Sequence, residues 1–379
     1  MDFSCNVPYF EEKWKIECAE LYTLHPIPLY HEFADATMPH NYYVNACVLY
    51  LYDESGAVGW GRCSGLVATK ILPLILTGKR EKYGDVYQRI FWKNRNDGYS
   101  SPSFAALGQL DTVAINLFAA RKGMQTNRYL GAKQDTFKVY ASGHGSSTSI
   151  EDMIREVEEE KALGYDFYKM KVASEFGTKL DWDVERVRIM RELVGPDAKI
   201  AIDANQLWSA DEAMRFLDRV LKYDIWWYEE PVHSHDLVEL KKLCKMSPVK
   251  ISMGESLRNS CFFRAYAEAG CGVLQGNPPL WGYWDWIKVY EICQEYGIVF
   301  SGNSSGADWL PVLGDDSVYM EYLRPNHKPT YDLMKTRAED HGSYMKVANK
   351  PGSTFEPDWD LVKAKKLLKS IDVYYPTMG

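Results

Sequence analysis

Short apolar segments alternate with amphipathic ones along most of the chain after residue 137. The apolar segments are rich in β-branched and aromatic residues and are nearly continuous, as expected for parallel strands that are buried on both faces. Amphipathic stretches of helical length separate most of them, and this alternation predicts an α/β fold with a (β/α) barrel. The eight predicted strands contain the segments FKVYAS, FYKMKV, KIAIDAN, DIWWYEE, VKISMG, GVLQGN, GIVFSG and SVYMEY.

The amphipathic stretches are predicted to be helices, and two of them carry a capping signal at the start. Thr148 with Glu151 and Ser209 with Glu212 each fit the capping box, in which the two side chains satisfy free N–H groups of the first turn. The predicted helices begin at or near Ser149, Trp182, Ser209, His235, Leu257 and Tyr283.

Residues 1–137 have a different pattern, which predicts an α+β capping domain in front of a barrel domain at 138–339. The segment YYVNACVLYLYDESGAVGWGRCSG predicts two strands joined by a DESG turn, and a mostly helical stretch follows from about Lys70 to Arg128. The tail at 340–379 is too short to fold alone, so we expect it to pack on the cap.

Composition and charge narrow the class of protein. The chain has 379 residues, 46% of them hydrophobic, and 44 basic residues against 52 acidic ones give a net charge of −8. Because no basic block occurs, the sequence favours neither a nucleic-acid nor a membrane-surface partner. We expect no run that approaches the roughly 18 apolar residues of a membrane span. The eight cysteines form no CxxC pair and the N-terminus lacks a signal-peptide pattern, which predicts a cytoplasmic protein with reduced thiols.

Three acidic residues stand at equal intervals at the ends of successive predicted strands. Asp203 in IDAN, Glu229 in YEEP and Glu255 in GES are each 26 residues apart, which is one strand and one helix. Equivalent positions of consecutive units end at the same rim of a barrel, so the three carboxylates are predicted to converge at its C-terminal mouth. Such a cluster needs a cation, and oxygen ligands alone favour a hard ion, Mg²⁺ first.

Two lysines in YKMKVA precede this acidic series by one unit. Lys169 and Lys171 lie one residue apart on the second strand and therefore share a face. If that face lines the mouth, each ammonium disfavours the other, and we expect Lys169 to lower the pKa of Lys171.

The motifs KxK, D-x-N, E-E-P and G-E-S on four consecutive strands resemble the enolase superfamily, in particular its mandelate racemase and muconate lactonizing subgroup. The resemblance spans essentially the whole chain, including GWG in the cap and VYAS at the barrel start. It implies a modified (β/α)₇β barrel with an N-terminal cap, Mg²⁺ held by Asp203, Glu229 and Glu255, and a small carboxylate-bearing substrate. It also implies that a lysine, Lys171 with Lys169 beside it, abstracts the proton next to the substrate carboxylate. We further expect a homo-oligomer.

The sequence departs from this family on the sixth and seventh strands and in the cap. Asn277 and Asn303 stand where an Asp-His dyad is usual, and neither amide exchanges protons at neutral pH. We predict that the two asparagines are neighbours at the mouth and take part in binding more than in proton transfer. Arg62 in GWGRCSG replaces a residue that is more often acidic.

Several further residues are candidates for substrate binding. Histidines elsewhere are alternatives for a second acid: His144 after the first strand, His233 and His235 after EEP, and His25, His31 and His40 in the cap. Glu321 at the end of the eighth strand resembles the family's hydrogen-bond donor to substrate, although an ion pair fits it equally well. The candidate substrate-binding residues are His25, Tyr30, His31, His144, Asn205 and Glu321.

Three functions fit these residues. The first is the dehydration of a sugar acid, which a single lysine can start by β-elimination. The second is an epimerase, racemase or cycloisomerase, which needs a second proton donor on the opposite face. The third is a metal-binding protein of this fold without catalysis, although the complete set of acids and lysines favours an enzyme.

Overall fold

The computed structural model describes residues 7–37, 40–277, 282–303 and 307–376. Eight parallel strands form a closed barrel, because the eighth strand pairs with both the seventh and the first. The predicted barrel is confirmed, and each of the eight predicted segments contains a strand. The barrel strands, numbered one to eight below, are Thr136–Gly143, Phe167–Lys171, Lys199–Asp203, Ile225–Glu229, Lys250–Met253, Val273–Gly276, Val299–Asn303 and Tyr319–Leu323.

Helices cover the outside of the barrel between most successive strands. The described part of the connection from strand seven to strand eight contains only a 3-10 turn at Leu310–Val312. The barrel helices are Ile150–Leu163, Leu180–Val194, Ala210–Val220, Leu237–Met246, Phe263–Ala269, Tyr283–Tyr296 and Arg324–Tyr331, with shorter turns at Ser174–Gly177, Leu221–Tyr223 and Ser260–Phe262.

One of the two predicted capping boxes is confirmed and the other is wrong. Ser209 and Glu212 exchange both bonds of the box. The first barrel helix is instead capped by Ser149, whose hydroxyl accepts from the Asp152 N–H at 3.0 Å, because Ser149 is the last residue with extended backbone angles. The fifth helix begins after the predicted Leu257, since the side chain of Asn259 caps the turn that precedes it.

The cap contains the predicted hairpin. Its strands Cys47–Asp53 and Val58–Cys63 are antiparallel, and the Asp53 carboxylate closes the turn by accepting from the Ser55 and Ala57 N–H groups. Tyr42 to Val44, predicted as part of the first strand, belong to a separate strand. The strands within residues 16–33 were not predicted from the sequence. The remaining cap elements are the strands Lys13–Trp14, Ile16–Leu24, Ile27–Phe33, Asn41–Val44 and Glu81–Lys82 and the helices Pro8–Glu11, Leu66–Lys70, Leu72–Ile75, Tyr83–Asn94, Arg95–Asp97, Pro102–Arg121 and Thr126–Tyr129.

The helix Pro102–Arg121 is the central helix of the cap. By length and composition it could cross a membrane, which corrects the expectation that no run approaches that size, but 83% of its apolar window is buried inside the protein. Gly59 and Gly61 of the hairpin pack directly on it, because a Cβ at Gly59 would lie 2.4 Å from the Leu117 Cβ. This helix therefore belongs to the core between the cap sheet and its other helices.

The chain after the barrel returns to the cap. Leu368–Tyr374 pairs antiparallel with Ile16–Leu24 and forms the edge of a four-stranded sheet. The segment between contains the strands Met334–Thr336, Glu339–Asp340, Tyr344–Lys346 and Glu356–Pro357 and the helix Trp359–Ala364.

The cap also reaches the C-terminal rim of the barrel through residues 34–36, which follow the strand Ile27–Phe33. Ser146, just after barrel strand one, donates its N–H to the Ala34 carbonyl at 2.8 Å and its hydroxyl to the Asp35 carbonyl at 2.6 Å. Phe176, after strand two, donates its N–H to the Ala36 carbonyl at 3.2 Å. The cap is thereby fixed over the end of the barrel at which the acidic residues lie.

Candidate functional site

The inside of the barrel consists of an apolar layer and, above it, a polar one. The apolar layer is a cluster of Tyr140, Phe167, Ala201, Trp227, Val273 and Tyr319. Because side chains on one face of a strand recur every second residue, the next inward positions follow directly. They are Ser142, Lys169, Asp203, Glu229, Gln275 and Glu321, and all six are buried. The polar layer therefore packs on a layer of mostly aromatic side chains.

Three carboxylates converge in the polar layer. One carboxylate oxygen from each of Asp203, Glu229 and Glu255 lies within 4.8 Å of the other two, and the main chains of Asp203 and Glu229 are paired neighbours. Glu255 follows strand five through Gly254, whose φ is +128° and whose Cβ position would meet the Gln275 carbonyl oxygen at 2.6 Å. Only glycine fits there, and its turn brings Glu255 to the other two acids.

The three acids are chemically suited to a hard divalent cation. Burial raises the pKa of Glu229 and of Glu255 above the usual range, because each charged carboxylate loses its hydration and faces the others. Glu255 Oε2 is buried and has no hydrogen-bond partner. A buried carboxylate oxygen without a donor, on a residue beside two other carboxylates, is suited to an ion such as Mg²⁺.

Both lysines of the KxK motif point into this layer. Lys169 Nζ lies 2.5 Å from Glu229 Oε1 and 2.8 Å from Glu321 Oε1. Lys171 Nζ lies 2.5 Å from Asp203 Oδ2. Since these side chains are almost fully buried, two ammonium groups and four carboxylates share a small volume with little water.

The charge balance sets the proton affinity of Lys171. Burial is the largest single influence and lowers its pKa, but the charges of Asp203, Glu255 and Glu229 together outweigh burial and raise the pKa above the usual value. Lys169 does lower it, as expected, but by less than Asp203 raises it. The predicted direction of the effect of Lys169 is therefore confirmed, although the neighbouring carboxylates raise the pKa of Lys171 overall. The two lysines in turn hold the pKa of Asp203 at about 2 against the effect of burial.

Comparison with known proteins gives the same picture. Residues 152–361, more than half of the chain, match the family described as enolase C-terminal domain-like. The chain belongs to the enolase superfamily. The resemblance that the motifs indicated is confirmed.

Relatives within this superfamily include enzymes that act on sugar acids. The chain is 24% identical over 218 residues to the L-talarate/galactarate dehydratase of Salmonella typhimurium, a match that spans only 53% of that enzyme's length. It is 26% identical over 316 residues, 79% of this chain and 83% of the relative, to the arabinonate dehydratase of Saccharolobus solfataricus. A racemase from Streptomyces coelicolor with bound magnesium has the same fold, with a TM-score of 0.83 and 22% identity over 93% of this chain and 100% of that one.

Two further residues support the site, although neither was predicted from the sequence to do so. Gln275 donates Nε2 to Glu229 Oε2 at 2.6 Å. Arg186, fully buried in the second long barrel helix, donates to the main-chain carbonyls of Lys171, His144 and Gly145 at 2.6–2.9 Å. It therefore fixes the ends of strands one and two, including the backbone of Lys171. The inward alternation of VLQGN could have identified Gln275, whereas nothing in VERVRIM singles out Arg186.

Two of the predicted substrate-binding residues lie at the polar layer. Glu321 accepts from the Ser142 hydroxyl at 2.7 Å and pairs with Lys169. Burial raises its pKa, but the two lysines outweigh burial and lower it, so Glu321 is an ion-pair partner here. Asn205 donates its main-chain N–H to Asp203 Oδ1 at 3.0 Å, while its own Oδ1 is buried without a partner.

The other predicted substrate-binding residues contact neighbouring elements outside the polar layer. The ring of His144 lies against the first barrel helix, because a φ of +43° turns the residue out of the strand direction. His31 Nε2 lies 2.8 Å from Glu156 Oε1 of the same helix. The Tyr30 hydroxyl donates to Asp332 Oδ2 at 2.6 Å. His25 is exposed and donates its main-chain N–H to the Leu367 carbonyl.

The asparagine pair is described only in part. Asn277 follows strand six and is partly buried, and the main chain of Asn303 pairs with that of Glu321. The side chain of Asn303 lies outside the described residues, so the predicted contact of the two amides stays a prediction. His233 and His235 are exposed, with ring centroids 5.6 Å apart. His40 is exposed and contacts Glu32.

A buried histidine, His144, makes the stability of the folded state depend on pH. Burial alone would lower the pKa of His144, but Glu160 and Glu156, each 3.1 Å from the ring, raise it from 6.5 to about 9. Protonated His144 therefore stabilises the folded state fully below pH 6.5, and this contribution is lost as pH rises to about 9.

We expect that His144→Gln will reduce the free energy of unfolding at pH 6 and have much less effect at pH 9.5. The difference between the two pH values should be on the order of a few kcal/mol, measured by denaturant unfolding. His25→Gln, a change of an exposed histidine of the cap, is the control. An equal loss at both pH values would show that packing, not charge, is responsible.

Proposed function

We propose that this protein is a Mg²⁺-dependent lyase that removes water from a sugar acid and gives a 2-keto-3-deoxy acid. The observation that supports this most strongly is the single buried layer that unites a lysine pair with three carboxylates. A proton next to a carboxylate is weakly acidic, so its removal requires both a positioned base and a positive charge near the carboxylate.

Lys171 is the proposed base. It takes the α-proton on Nζ and then donates that proton to the departing β-hydroxyl, so that one water leaves and the enol rearranges to the 2-keto acid. A bound Mg²⁺ would stabilise the negative charge on the substrate carboxylate and offset the charge of Asp203 that raises the pKa of Lys171. Lys169 lowers the proton affinity of Lys171, and Gln275 orients Glu229.

The opposite side of the site supports a reaction that needs one base. No Lys, His, Asp or Glu occurs in strand six and the Asn277 that follows it. The same holds for the described side chains of strand seven, residues 299–302. A racemase must deliver a proton on the face opposite to the one from which it was removed, and these amides and hydroxyls do not exchange protons near pH 7. Dehydration with both transfers on one side has no such requirement.

The relatives support the same choice of substrate. Two of them are named as dehydratases of sugar acids. The proposed substrate is accordingly a small polyhydroxy carboxylic acid. The predicted homo-oligomer and the cytoplasmic location stay predictions.

The test is a screen of the purified protein with Mg²⁺ against a library of sugar acids, in which 2-keto products are detected. We expect at least one acid to give a 2-keto-3-deoxy product. Reactions in D₂O add a second readout, because deuterium exchange at the α-carbon without loss of water would favour a racemase. Absence of product and of exchange for every acid would contradict the proposal.

A further inference from the structure

A cavity lies between the cap and the outside of the barrel, and we call it the outer cavity. Its volume is about 290 Å³, close to the lower end of the ~300–1,000 Å³ that is typical of small-molecule sites. The cap strand Ile27–Phe33, the first barrel helix Ile150–Leu163, the helix Arg324–Tyr331 and the end of strand one form its wall. The polar side chains contributed by the strand and the two helices include Tyr30, His31, Glu156, Glu160, Arg324 and Lys328.

Strand one separates the outer cavity from the polar layer. Ser142 borders both, because its hydroxyl donates to Glu321 in the polar layer, and alternation turns the next residue, Gly143, outward. A Cβ at Gly143 would lie 2.8 Å from Pro325 Cδ, and both residues line the cavity. Among the described residues of its wall there is neither a lysine of the KxK motif nor one of the three metal-binding acids. The outer cavity is therefore distinct from the candidate site.

Arg324 contributes to this wall a guanidinium that makes no hydrogen bond within the described chain. The residue directly follows strand eight, and only 14% of its side chain is exposed. Its ion-pair partner, Glu160 Oε1, lies 3.7 Å from Nε, which is beyond hydrogen-bond distance, and Nη1 is buried without a partner. Because a charged donor with little access to water destabilises a fold unless it finds an acceptor, such a group in a cavity wall indicates an acceptor that enters from outside.

Two carboxylates of the wall are already held by histidines. Glu156 lies 2.8 Å from His31 Nε2 and 3.1 Å from His144 Nδ1, and Glu160 lies 3.1 Å from His144 Nε2. Burial lowers the pKa of His144, but the two acids raise it to about 9, and Glu156 raises the pKa of His31. The charge of these acids is therefore balanced by the rings, and Arg324 is left with an unused positive charge.

Two more cations and one acid complete the charges of the wall. Arg155 and Lys328 line the cavity, and each also contacts an aspartate, Asp152 at 2.6 Å and Asp332 at 2.8 Å. Ion pairs of this exposed kind contribute little energy, so both cations can still attract a bound anion. Glu159 lines the cavity, is exposed and has no ion pair within the described chain. It limits the excess of positive charge, which favours a small anion of low charge.

We propose that the outer cavity is a second binding site, for a small oxyanion that accepts hydrogen bonds from Arg324. A carboxylate and a phosphate share this chemistry, because the planar guanidinium can donate two parallel bonds to either. The volume of the cavity restricts the ligand to a small molecule. Because none of the residues that hold the anion takes part in the proposed dehydration, the site is independent of that function.

The test is calorimetric binding of inorganic phosphate and of lactate to the full-length protein at constant ionic strength. The buffer contains no divalent metal, so that the acidic cluster of the polar layer holds no cation that would attract the same anions. We expect saturable binding of one equivalent of at least one of the two. Arg324→Gln should reduce that affinity about 10- to 100-fold, the range expected for charged hydrogen bonds. The ratio of the two affinities shows whether the site prefers a carboxylate or a phosphate.

Two further variants make the result specific. Arg155→Glu reverses the charge of a side chain that is 58% exposed, so it leaves the core intact and should weaken binding about 3- to 10-fold, less than the loss of a buried charge. Arg264→Gln removes a surface arginine that pairs with Glu295 and should bind like wild type.

Saturable binding of neither anion by wild type would overturn the inference, as would wild-type affinity in Arg324→Gln. Circular dichroism shows whether Arg324→Gln is folded. If it is not, Arg155→Glu decides, because unchanged affinity in that variant would place the bound anion elsewhere.

Discussion

Replacement of Lys171 by alanine is expected to reduce the rate of the proposed dehydration by roughly 10²- to 10⁴-fold or more, as for other positioned acid-base groups. The physical reason is that Lys171 is the proposed carrier of both proton transfers. Deuterium exchange at the substrate α-carbon should fall in parallel, because it depends on the same base. Initial rates and exchange in D₂O measure the two effects.

Mg²⁺ binding should persist in Lys171→Ala, since the three carboxylates are unchanged. A matched control is Lys199→Ala at the opposite end of the barrel, where the lysine donates to the Tyr319 hydroxyl at 2.6 Å and lies 4.4 Å from the centre of the Trp226 ring. That variant is expected to lose stability without a comparable loss of kcat. Full activity without Lys171, or rapid exchange from both faces of the substrate, would reveal a second base.

Substitution Glu255→Gln is expected to abolish most of the affinity for Mg²⁺, by at least about 100-fold, since changes to mere supporting groups of metal ligands already cost 10- to 100-fold. Of the three acids, Glu255 is the one whose substitution is simplest to interpret. Asp203 and Glu229 each pair with a buried lysine, so their removal also leaves an uncompensated charge. No ion pair of Glu255 is found in the described chain, and activity should fall with the metal affinity.

Thermal unfolding with and without Mg²⁺ measures the effect, because a ligand of the folded state raises the unfolding temperature. Wild type should be stabilised by Mg²⁺ and Glu255→Gln should not. Without metal the variant should be at least as stable as wild type, since burial disfavours the charged form of Glu255. Glu295→Gln, which removes a surface partner of Arg264, is the control. A Mg²⁺-dependent shift in Glu255→Gln equal to that of wild type would contradict the assigned ligand.

The barrel and the convergence of the acids could be predicted because both depend on local periodicity. Apolar runs of strand length separated by helices allow few topologies, and an interval of one complete unit repeats a position on the rim. The same rule, applied inward from Val273, would have identified Gln275. These inferences needed no knowledge of distant contacts.

What the sequence does not show depends on backbone angles or on the sum of many charges. His144 directly follows the first barrel strand, yet a φ of +43° directs its ring toward a helix and not into the barrel. Arg186 lies in a helix, and its contacts with three carbonyls of other elements leave no sequence pattern. The pKa of Lys171 lies above its usual value because Asp203, 2.5 Å away, together with Glu255 and Glu229 outweighs burial and the neighbouring lysine, and the sequence does not show that sum.

The strand Leu368–Tyr374 has a consequence for the order of folding. It completes the cap sheet by pairing with Ile16–Leu24, about 350 residues earlier in the chain, and closing so long a loop carries a large entropic cost. During synthesis all eight barrel strands precede this partner out of the ribosome. The sheet that carries Trp60 and Arg62 therefore gains its edge strand only after the barrel has been made, so a nascent chain can bury its barrel core before its cap is complete.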